Sequence, residues 1–151
     1  ISAYRQRPGM IAVDTGFFYA LADVQDRYHA DAMLWQSSLQ EGWITTWPVV
    51  TETTYLLANR LGTECAIDWM REVSSGSIAV WDIPKVQVQT IPDLMQRYAQ
   101  LPMDLADASM VLLAEHLGHG RILTTDERDF GAYRWKQRKP FQNLLAQPDL
   151  P

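Results

Sequence analysis

The sequence predicts an α/β fold of three layers, in which helices cover both faces of a mostly parallel central sheet. Short apolar segments typical of buried strands alternate along the chain with helical segments. Two of these predicted strands end directly in an aspartate, at Asp14 and at Asp126. The helical segment 105–117 is apolar almost all round, which is typical of a helix buried inside a layered domain.

Length and composition favour one globular domain. The chain has 151 residues, of which 47% are hydrophobic and 21% are charged. No apolar run approaches the ~20 residues that a membrane span needs, and no signal peptide is visible. The single cysteine, Cys65, excludes an internal disulfide. These features predict a cytoplasmic protein with no membrane partner.

The elements are predicted in a simple order. A polar, flexible leader at residues 1–9 precedes a domain at 10–135, and a loosely held C-terminal tail occupies 136–151. Met10 is a candidate start. The predicted strands are residues 10–13, 43–46, 78–81, 121–125 and a possible edge strand at 133–135. The predicted helices are residues 17–22, 29–40, 48–59, 63–73, 92–100 and 105–117. Residues 84–90 are ambiguous between strand and helix, and 129–131 are predicted to form a turn.

Four acids are candidates for a shared site. Asp14 and Asp126 follow separate strands, and parallel α/β sheets bind ligands outside the carboxyl ends of their strands. Asp107, in the first turn of the helix 105–117, can reach the same edge. Glu52 lies inside a helix among apolar neighbours.

Each acid also has a purely structural explanation. Asp14, Asp104 and Asp126 are all suited to be helix N-caps, and Asp107 suits the positive end of a helix dipole. Glu52 could be a solvated surface acid. Asp129 could stabilise the turn that follows Asp126. These alternatives stay open at the level of the individual residues.

Clustered carboxylates repel one another, by about 4 kcal/mol for two charges ~4 Å apart at an effective dielectric constant near 20. Such a cluster therefore takes up protons or holds cations. With oxygen ligands and no nearby His or Cys, the fitting cations are Mg²⁺ and Mn²⁺. Two such ions ~4 Å apart can activate a water molecule and stabilise the leaving oxygen, which is the chemistry of phosphodiester hydrolysis.

Four motifs, taken in their order along the chain, resemble those of a known protein family. The motifs are Asp14-Thr15 after the first strand, Val-Thr-Glu52 opening an apolar helix, Asp107-Ala-Ser-Met-Val-Leu-Leu-Ala114, and Leu123-Thr-Thr-Asp126 followed by Asp129-Phe130. Together they resemble the PIN-domain ribonuclease family, and within it the VapC-type toxins of bacterial toxin–antitoxin modules. The resemblance covers about residues 10–135.

The resemblance implies a function and assigns roles to residues. It implies endonucleolytic cleavage of RNA that depends on Mg²⁺ or Mn²⁺, by a toxin that forms a homodimer and is inhibited by a cognate antitoxin protein. The acids that correspond to the catalytic and metal-binding acids of the family are Asp14, Glu52, Asp107 and Asp126. The acids that would be secondary are Asp104 and Asp129. The hydroxyls expected near the substrate are those of Thr15 and Thr125.

The formal net charge of −5 argues weakly against a protein that holds nucleic acid by bulk charge. Basic residues concentrate late in the chain, and Arg128 and Arg134 are candidates to place RNA phosphates near the acids. An ordinary solvated basic face is the alternative. Trp47 could stack on a base or lie in an interface.

Three other functions compete with the nuclease toxin. The chain could be a non-catalytic binding module of PIN-like fold, although the presence of all four acids argues against it. It could be an RNA-processing nuclease outside a toxin–antitoxin module. A phosphatase with an aspartyl nucleophile is disfavoured, because Asp14-Thr15-Gly16 lacks a second acid two residues after the first.

Overall fold

The structure is a computed structural model that describes residues 9–146. The strands are, in chain order, β1 (Ile11–Val13), β2 (Trp43–Thr46), β3 (Ala79–Trp81), β4 (Arg121–Leu123), β5 (Arg134–Trp135), β6 (Lys139–Pro140) and β7 (Gln142–Asn143). The helices are α1 (Thr15–Ala22), α2 (His29–Ser38), α3 (Trp47–Leu61), α4 (Thr63–Ser74), α5 (Lys85–Val88), α6 (Ile91–Arg97), α7 (Leu105–Leu117) and α8 (Glu127–Ala132). A short 3₁₀ helix, Leu144–Ala146, ends the described part of the chain.

Five strands form one parallel sheet in the order β3-β2-β1-β4-β7. Helices flank this sheet on both faces, which confirms the predicted three-layer α/β/α fold. The strands β5 and β6 form a separate antiparallel hairpin. Among residues 9–146, no helix is both long enough and apolar enough to cross a membrane.

The register of the central strands places the ends of β1 and β4 side by side. Val13 pairs with Leu123, and the Asp14 N–H donates to the Leu123 carbonyl at 3.0 Å. The residues that follow the two strands, Asp14 and Thr124, are therefore neighbours at the carboxyl edge of the sheet. This is the edge at which the sequence predicted a site.

The helix α7 forms the centre of the core, as its apolar composition predicted. Ala108, Met110, Val111 and Leu113 are all fully buried. The helix ends at Gly118, whose φ of 79° lies in the left-handed region that favours glycine at a helix C-terminus. Packing on both sides fixes the N-terminus of α7 in place relative to the sheet.

The C-terminal part of the chain differs from the prediction. The expected loose tail contributes β7 to the sheet, and Leu144 and Leu145 are buried. The Asn143 side chain also bonds to both the N–H and the carbonyl of Thr124, at 3.3 and 3.1 Å, so polar contacts as well as apolar burial hold this segment. Residues 147–151 and the leader up to residue 8 lie outside the described residues.

Three further segments can be compared with their predictions. The predicted turn at 129–131 lies inside the helix α8, because the Asp126 side chain caps that helix by accepting the Asp129 N–H at 3.0 Å. The ambiguous segment 84–90 contains the one-turn helix α5. The predicted edge strand at 133–135 exists as β5, but it pairs only with β6 and does not join the main sheet.

Candidate active site

Asp14 lies at the carboxyl end of β1 in the N-cap position of α1, yet its side chain makes no capping hydrogen bond. The carboxylate is only 7% exposed and accepts a hydrogen bond from the Thr124 hydroxyl at 3.0 Å. The pKa of Asp14 is raised to about 6, chiefly by burial and to a smaller extent by the charges of Glu52 and Asp126, while hydrogen bonds from Thr15 and Thr124 oppose the rise. Since the capping explanation fails here, this buried charge needs another reason to be present.

Asp107 lies in the first turn of α7 and is held by three contacts. The Asp104 carboxylate accepts the Asp107 N–H at 2.8 Å, and Asp107 Oδ2 accepts the Asp104 N–H at 3.3 Å, so the two acids form a reciprocal capping box. The Tyr133 hydroxyl also donates to Asp107 Oδ2, at 3.2 Å. Burial, followed by the charges of Asp104 and Asp14, raises the pKa of Asp107 to about 8. Asp107 therefore combines a capping role with a strongly perturbed carboxyl.

Asp126 follows β4 and caps α8, so the structural explanation holds for this residue too. Its N–H donates to the Thr124 hydroxyl oxygen at 3.0 Å, which means that one threonine connects Asp14 and Asp126. Burial raises the pKa of Asp126, and the side-chain hydrogen bond with Asp129 adds to that rise. Asp129 in turn accepts a hydrogen bond from Arg128 Nε at 3.0 Å.

Glu52 lies on α3 and is half-buried. Its charge is close enough to contribute to the raised pKa of Asp14, so Glu52 lies near that carboxylate. The helix that carries it begins at a favourable N-terminus, where the Thr46 side chain accepts the Val49 N–H and Pro48 occupies the first turn.

The four acids thus come from four separate segments and act on one another electrostatically. Asp14 is at the centre, because Glu52 and Asp126 perturb it and it perturbs Asp107. Among residues 9–146, no three His, Cys, Asp or Glu side chains are grouped tightly enough to form a complete set of ligands for one metal ion. The carboxylates therefore lie close enough to repel one another at this edge of the sheet, but they do not form a compact set of metal ligands.

A model of the PIN domain family matches residues 11–136 of the chain. The chain belongs to the PIN domain family. The match covers all four acids and ends one residue after β5.

Two relatives are similar to this PIN domain over most of its length. Ribonuclease VapC26 of Mycobacterium tuberculosis (strain ATCC 25618 / H37Rv) is 27% identical over 122 residues, which cover 81% of this chain and 90% of that protein. The crystal structure of Mycobacterium tuberculosis VapC20, described as a Sarcin–Ricin loop cleaving toxin, superposes with a TM-score of 0.72 at 22% identity. That superposition covers 78% of this chain and 91% of VapC20. At this identity it supports the fold alone.

The hydroxyl that contacts the acids of this PIN domain belongs to Thr124. The sequence had suggested Thr125. Thr124 is fully buried and touches both Asp14 and the Asp126 N–H, whereas Thr125 is only half-buried and packs towards Gly16. A threonine two residues before an aspartate can accept the N–H of that aspartate, and this local signal favours Thr124.

Thr15, the other predicted hydroxyl, is buried at the first residue of α1, next to Asp14. Its Oγ1 atom has no hydrogen-bond partner among the described residues. A buried hydroxyl without a partner is costly, so a bound group at this position would satisfy it.

Tyr133 is a site residue that the sequence reasoning missed. It is fully buried, and its ring packs edge-on against Tyr98 and Phe130 at centroid distances of 5.0 and 5.2 Å. Burial and the charge of Asp107 raise the pKa of Tyr133, so its hydroxyl stays protonated as a donor to that carboxylate. A lone tyrosine before a basic segment carries no sequence signal for this role.

The two candidate arginines have different surroundings. Arg128 is 79% exposed and pairs with Asp129 beside the acids. The Arg134 guanidinium donates to the carbonyls of Gly131, Ala132 and Tyr133 at 2.9, 3.2 and 2.9 Å. Arg134 Nη1 is therefore already used at the end of α8, which leaves Arg128 as the better placed candidate for a phosphate contact at the acids.

Proposed function

We propose that this chain is a metal-dependent endoribonuclease that hydrolyses RNA phosphodiester bonds, and that it is the toxin of a toxin–antitoxin pair. The observation that carries the proposal is the position of the buried Asp14 carboxylate, which Thr124 connects to Asp126 and which lies close enough to Glu52 and Asp107 for their charges to interact. The relative VapC26, which is named a ribonuclease, supports it, and VapC20, described as a Sarcin–Ricin loop cleaving toxin, shares the fold.

The donor set fits a small hard cation. The candidate ligands are carboxylate oxygens, and Mg²⁺ binds through only one or two carboxylates while it keeps several waters. The candidates to hold the ion, Mg²⁺ or Mn²⁺, are Asp14, Glu52, Asp107 and Asp126, of which one or two would contact it directly. Asp104 and Asp129 do not contact the ion directly. They hydrogen-bond to Asp107 and Asp126 and so orient these ligands.

When bound, the cation supplies charge that stabilises the phosphate oxygens and lowers the pKa of a water molecule. The residues of the chain orient the ligands. The Thr124 hydroxyl holds Asp14 Oδ2, while the Tyr133 hydroxyl and the Asp104 N–H both hold Asp107 Oδ2. Asp107 Oδ1 receives no hydrogen bond from residues 9–146 and is the oxygen free to bind. The Thr15 hydroxyl is available to a phosphate oxygen or a water, and Arg128 to the neighbouring phosphate.

The proposed partners are RNA, a cognate antitoxin and a second copy of the chain, and the proposed location is the cytoplasm. Trp47 is 47%, Leu105 50% and Val86 70% exposed, and they are candidates for contacts with a protein partner. Trp47 is not free to rotate, because its Nε1 donates to Asp82 at 2.7 Å.

The test is RNA cleavage by protein stripped of metal with EDTA. We expect no cleavage until Mg²⁺ or Mn²⁺ is restored, and no cleavage by Asp14→Asn or Asp107→Asn protein under any condition. Asp68→Asn, at an exposed acid paired with Arg71, is the matched control and should cleave like the parent. Equal cleavage by the parent and both site variants would contradict the assignment.

Expression in a bacterial host separates the alternatives. A toxin arrests growth, and the Asp126→Asn form does not. Cleavage in the test tube without growth arrest would indicate an RNA-processing nuclease. Binding of RNA without any cleavage would indicate a non-catalytic module.

A further inference from the structure

The antiparallel hairpin of residues 134–140, with its connecting turn, carries the densest positive charge of the chain. Four of its seven residues are basic: Arg134, Lys136, Arg138 and Lys139. The whole stretch 130–148 contains no acid. The chain has 13 Lys and Arg against 18 Asp and Glu, so without these four residues its formal charge falls from −5 to −9. Positive charge in this protein is therefore concentrated in one element.

Three of the four basic residues of the hairpin, Lys136, Arg138 and Lys139, are exposed, and Arg134 is half-buried. The Trp135 ring is buried, and Lys136 Nζ and Lys139 Nζ lie 5.9 and 5.0 Å from the ring centroid. Trp135 Nε1 also donates to the Pro140 carbonyl at 3.1 Å, which closes the hairpin. Residues 136–140 are all exposed.

The turn of the hairpin has a conformation that its residues do not favour. Lys136 and Gln137 have φ angles of 47° and 67°, in the left-handed region where glycine and asparagine are usual. Such backbone strain concentrates at functional positions. A Lys at this position holds a charged side chain at the tip of the hairpin, where an Asn-Gly turn would give an uncharged one.

The hairpin extends from the neighbourhood of Asp107 towards the C-terminal end of α7. It begins next to Tyr133, which contacts Asp107 at the start of α7, and the Lys136 N–H donates to Glu115 Oε1 at 3.0 Å. Asp107 and Glu115 are eight residues apart on one helix, which is about 12 Å. A stacked nucleic-acid strand advances about 3.4 Å per nucleotide, so this distance corresponds to about three to four nucleotides.

We propose that the hairpin 134–140 binds the sugar-phosphate backbone of the RNA substrate about three to four nucleotides away from the bond that is cleaved. The acids repel RNA, so an acidic protein that acts on RNA needs a separate basic contact to retain it. Glu115 offsets one charge, and the side chains of Lys136, Arg138 and Lys139 remain directed to solvent. The proposal rests on the proposed function for its substrate, and it adds the place and the length of the contact.

The experiment compares two triple variants with the same change in charge. The first replaces Lys136, Arg138 and Lys139 by Gln. The control replaces Arg71, Lys85 and Arg97, which are exposed and lie on other elements, by Gln. All proteins also carry Asp107→Asn, so that binding is measured without cleavage. The probe is a fluorescein-labelled single-stranded RNA of about 20 nucleotides, followed by anisotropy between about 50 and 200 mM KCl.

We expect the hairpin variant to bind about tenfold more weakly than the control at low salt, and its plot of log K against log salt to be shallower by about 2, since each lost phosphate contact removes about 0.7. An RNA of about two nucleotides should show a much smaller difference, because at about 3.4 Å per nucleotide it cannot span the distance of about 12 Å. Replacing Lys136 and Lys139 by Arg, with Arg138 kept, should retain binding and excludes a folding defect as the cause.

Equal RNA binding by the hairpin and control variants, or a parent that does not bind the RNA, would overturn the proposal. Cleavage of the RNA by these Asp107→Asn proteins would instead contradict the proposed function and leave the comparison of binding intact. The two failures are therefore distinguishable.

Discussion

Replacing Asp14 by Asn should stabilise the metal-free protein while it abolishes cleavage. Burial holds the pKa of Asp14 at about 6 in the folded chain, against 3.8 for an unperturbed aspartate. Each pH unit between the folded and unfolded pKa corresponds to about 1.4 kcal/mol, so the ionised carboxylate lowers the free energy of unfolding by about 3 kcal/mol at neutral pH. An asparagine has a similar shape and can still bond to Thr124, but it carries no charge.

The sign of the pH dependence follows from the direction of the pKa change. Between pH 3.8 and about 6 the folded chain binds more protons at Asp14 than the unfolded chain does. The contribution of Asp14 to stability therefore falls as the pH rises through this window, and it is constant above the window. The Asn variant carries no titrating group at this position. The difference in the free energy of unfolding between the Asn variant and the parent should therefore grow from pH 4 to pH 6 and then stay constant.

The assay is thermal unfolding in EDTA, monitored by circular dichroism at several pH values. For a chain of this length, a change of 1 kcal/mol in the free energy of unfolding shifts Tm by about 2–4 °C. A change of about 3 kcal/mol at pH 7 should therefore raise Tm by about 6–12 °C. Asp68→Asn, at an exposed carboxylate, is the control and should change Tm by less than about 2 °C. A variant at Asp14 that melts below the parent, or a difference that does not depend on pH, would refute the reasoning.

Two further predictions concern residues that hold the acids in place. Tyr133→Phe keeps the ring but removes the hydroxyl that donates to Asp107. Because such a hydrogen bond contributes about 1–2 kcal/mol, the Mg²⁺ concentration for half-maximal cleavage should rise about tenfold. An unchanged Mg²⁺ titration would show that the hydroxyl does not help Asp107 to bind the ion. Gly16→Ala would place a Cβ closer to Thr125 than real Cβ atoms come, so cleavage should fall by about tenfold or more as the segment shifts. Gly131→Ala, where an added Cβ meets nothing within 4 Å, should cleave like the parent, and equal activity of both alanine variants would contradict this role for Gly16.

Much of the architecture was predictable because its signals are local. A short apolar run followed by an aspartate marks the end of a buried strand, and this pattern correctly places Asp14 directly after β1. For Asp126 the strand is predicted two residues too long, because β4 ends at Leu123 and Thr124 and Thr125 precede the aspartate. The composition of residues 105–117 likewise predicted the burial of α7, which the structure confirms. Family membership is confirmed as well, while the roles of the individual acids stay predictions.

The sequence-based predictions are wrong where contacts between distant parts of the chain determine the structure. The two-residue strand β7 exists because it pairs with β4 and because Asn143 bonds to Thr124, and neither fact leaves a periodic pattern in the sequence. The choice between Thr124 and Thr125 is a choice between adjacent identical residues. The spacing of two residues to Asp126 favours Thr124 as an acceptor for the Asp126 N–H, but it does not indicate that the same hydroxyl also contacts Asp14. The use of Arg134 Nη1 by three carbonyls is equally invisible in a sequence that only shows a basic residue.

The measurement that tests the central claim most directly is RNA cleavage in water labelled with oxygen-18, by protein stripped of metal and then supplied with Mg²⁺. If the acids hold a cation that activates water, each cleavage places one labelled oxygen in the terminal phosphate, and the reaction stops in EDTA. The Asp107→Asn variant should give no labelled product. Unlabelled ends carrying a 2′,3′-cyclic phosphate, or cleavage that continues in EDTA, would contradict the account.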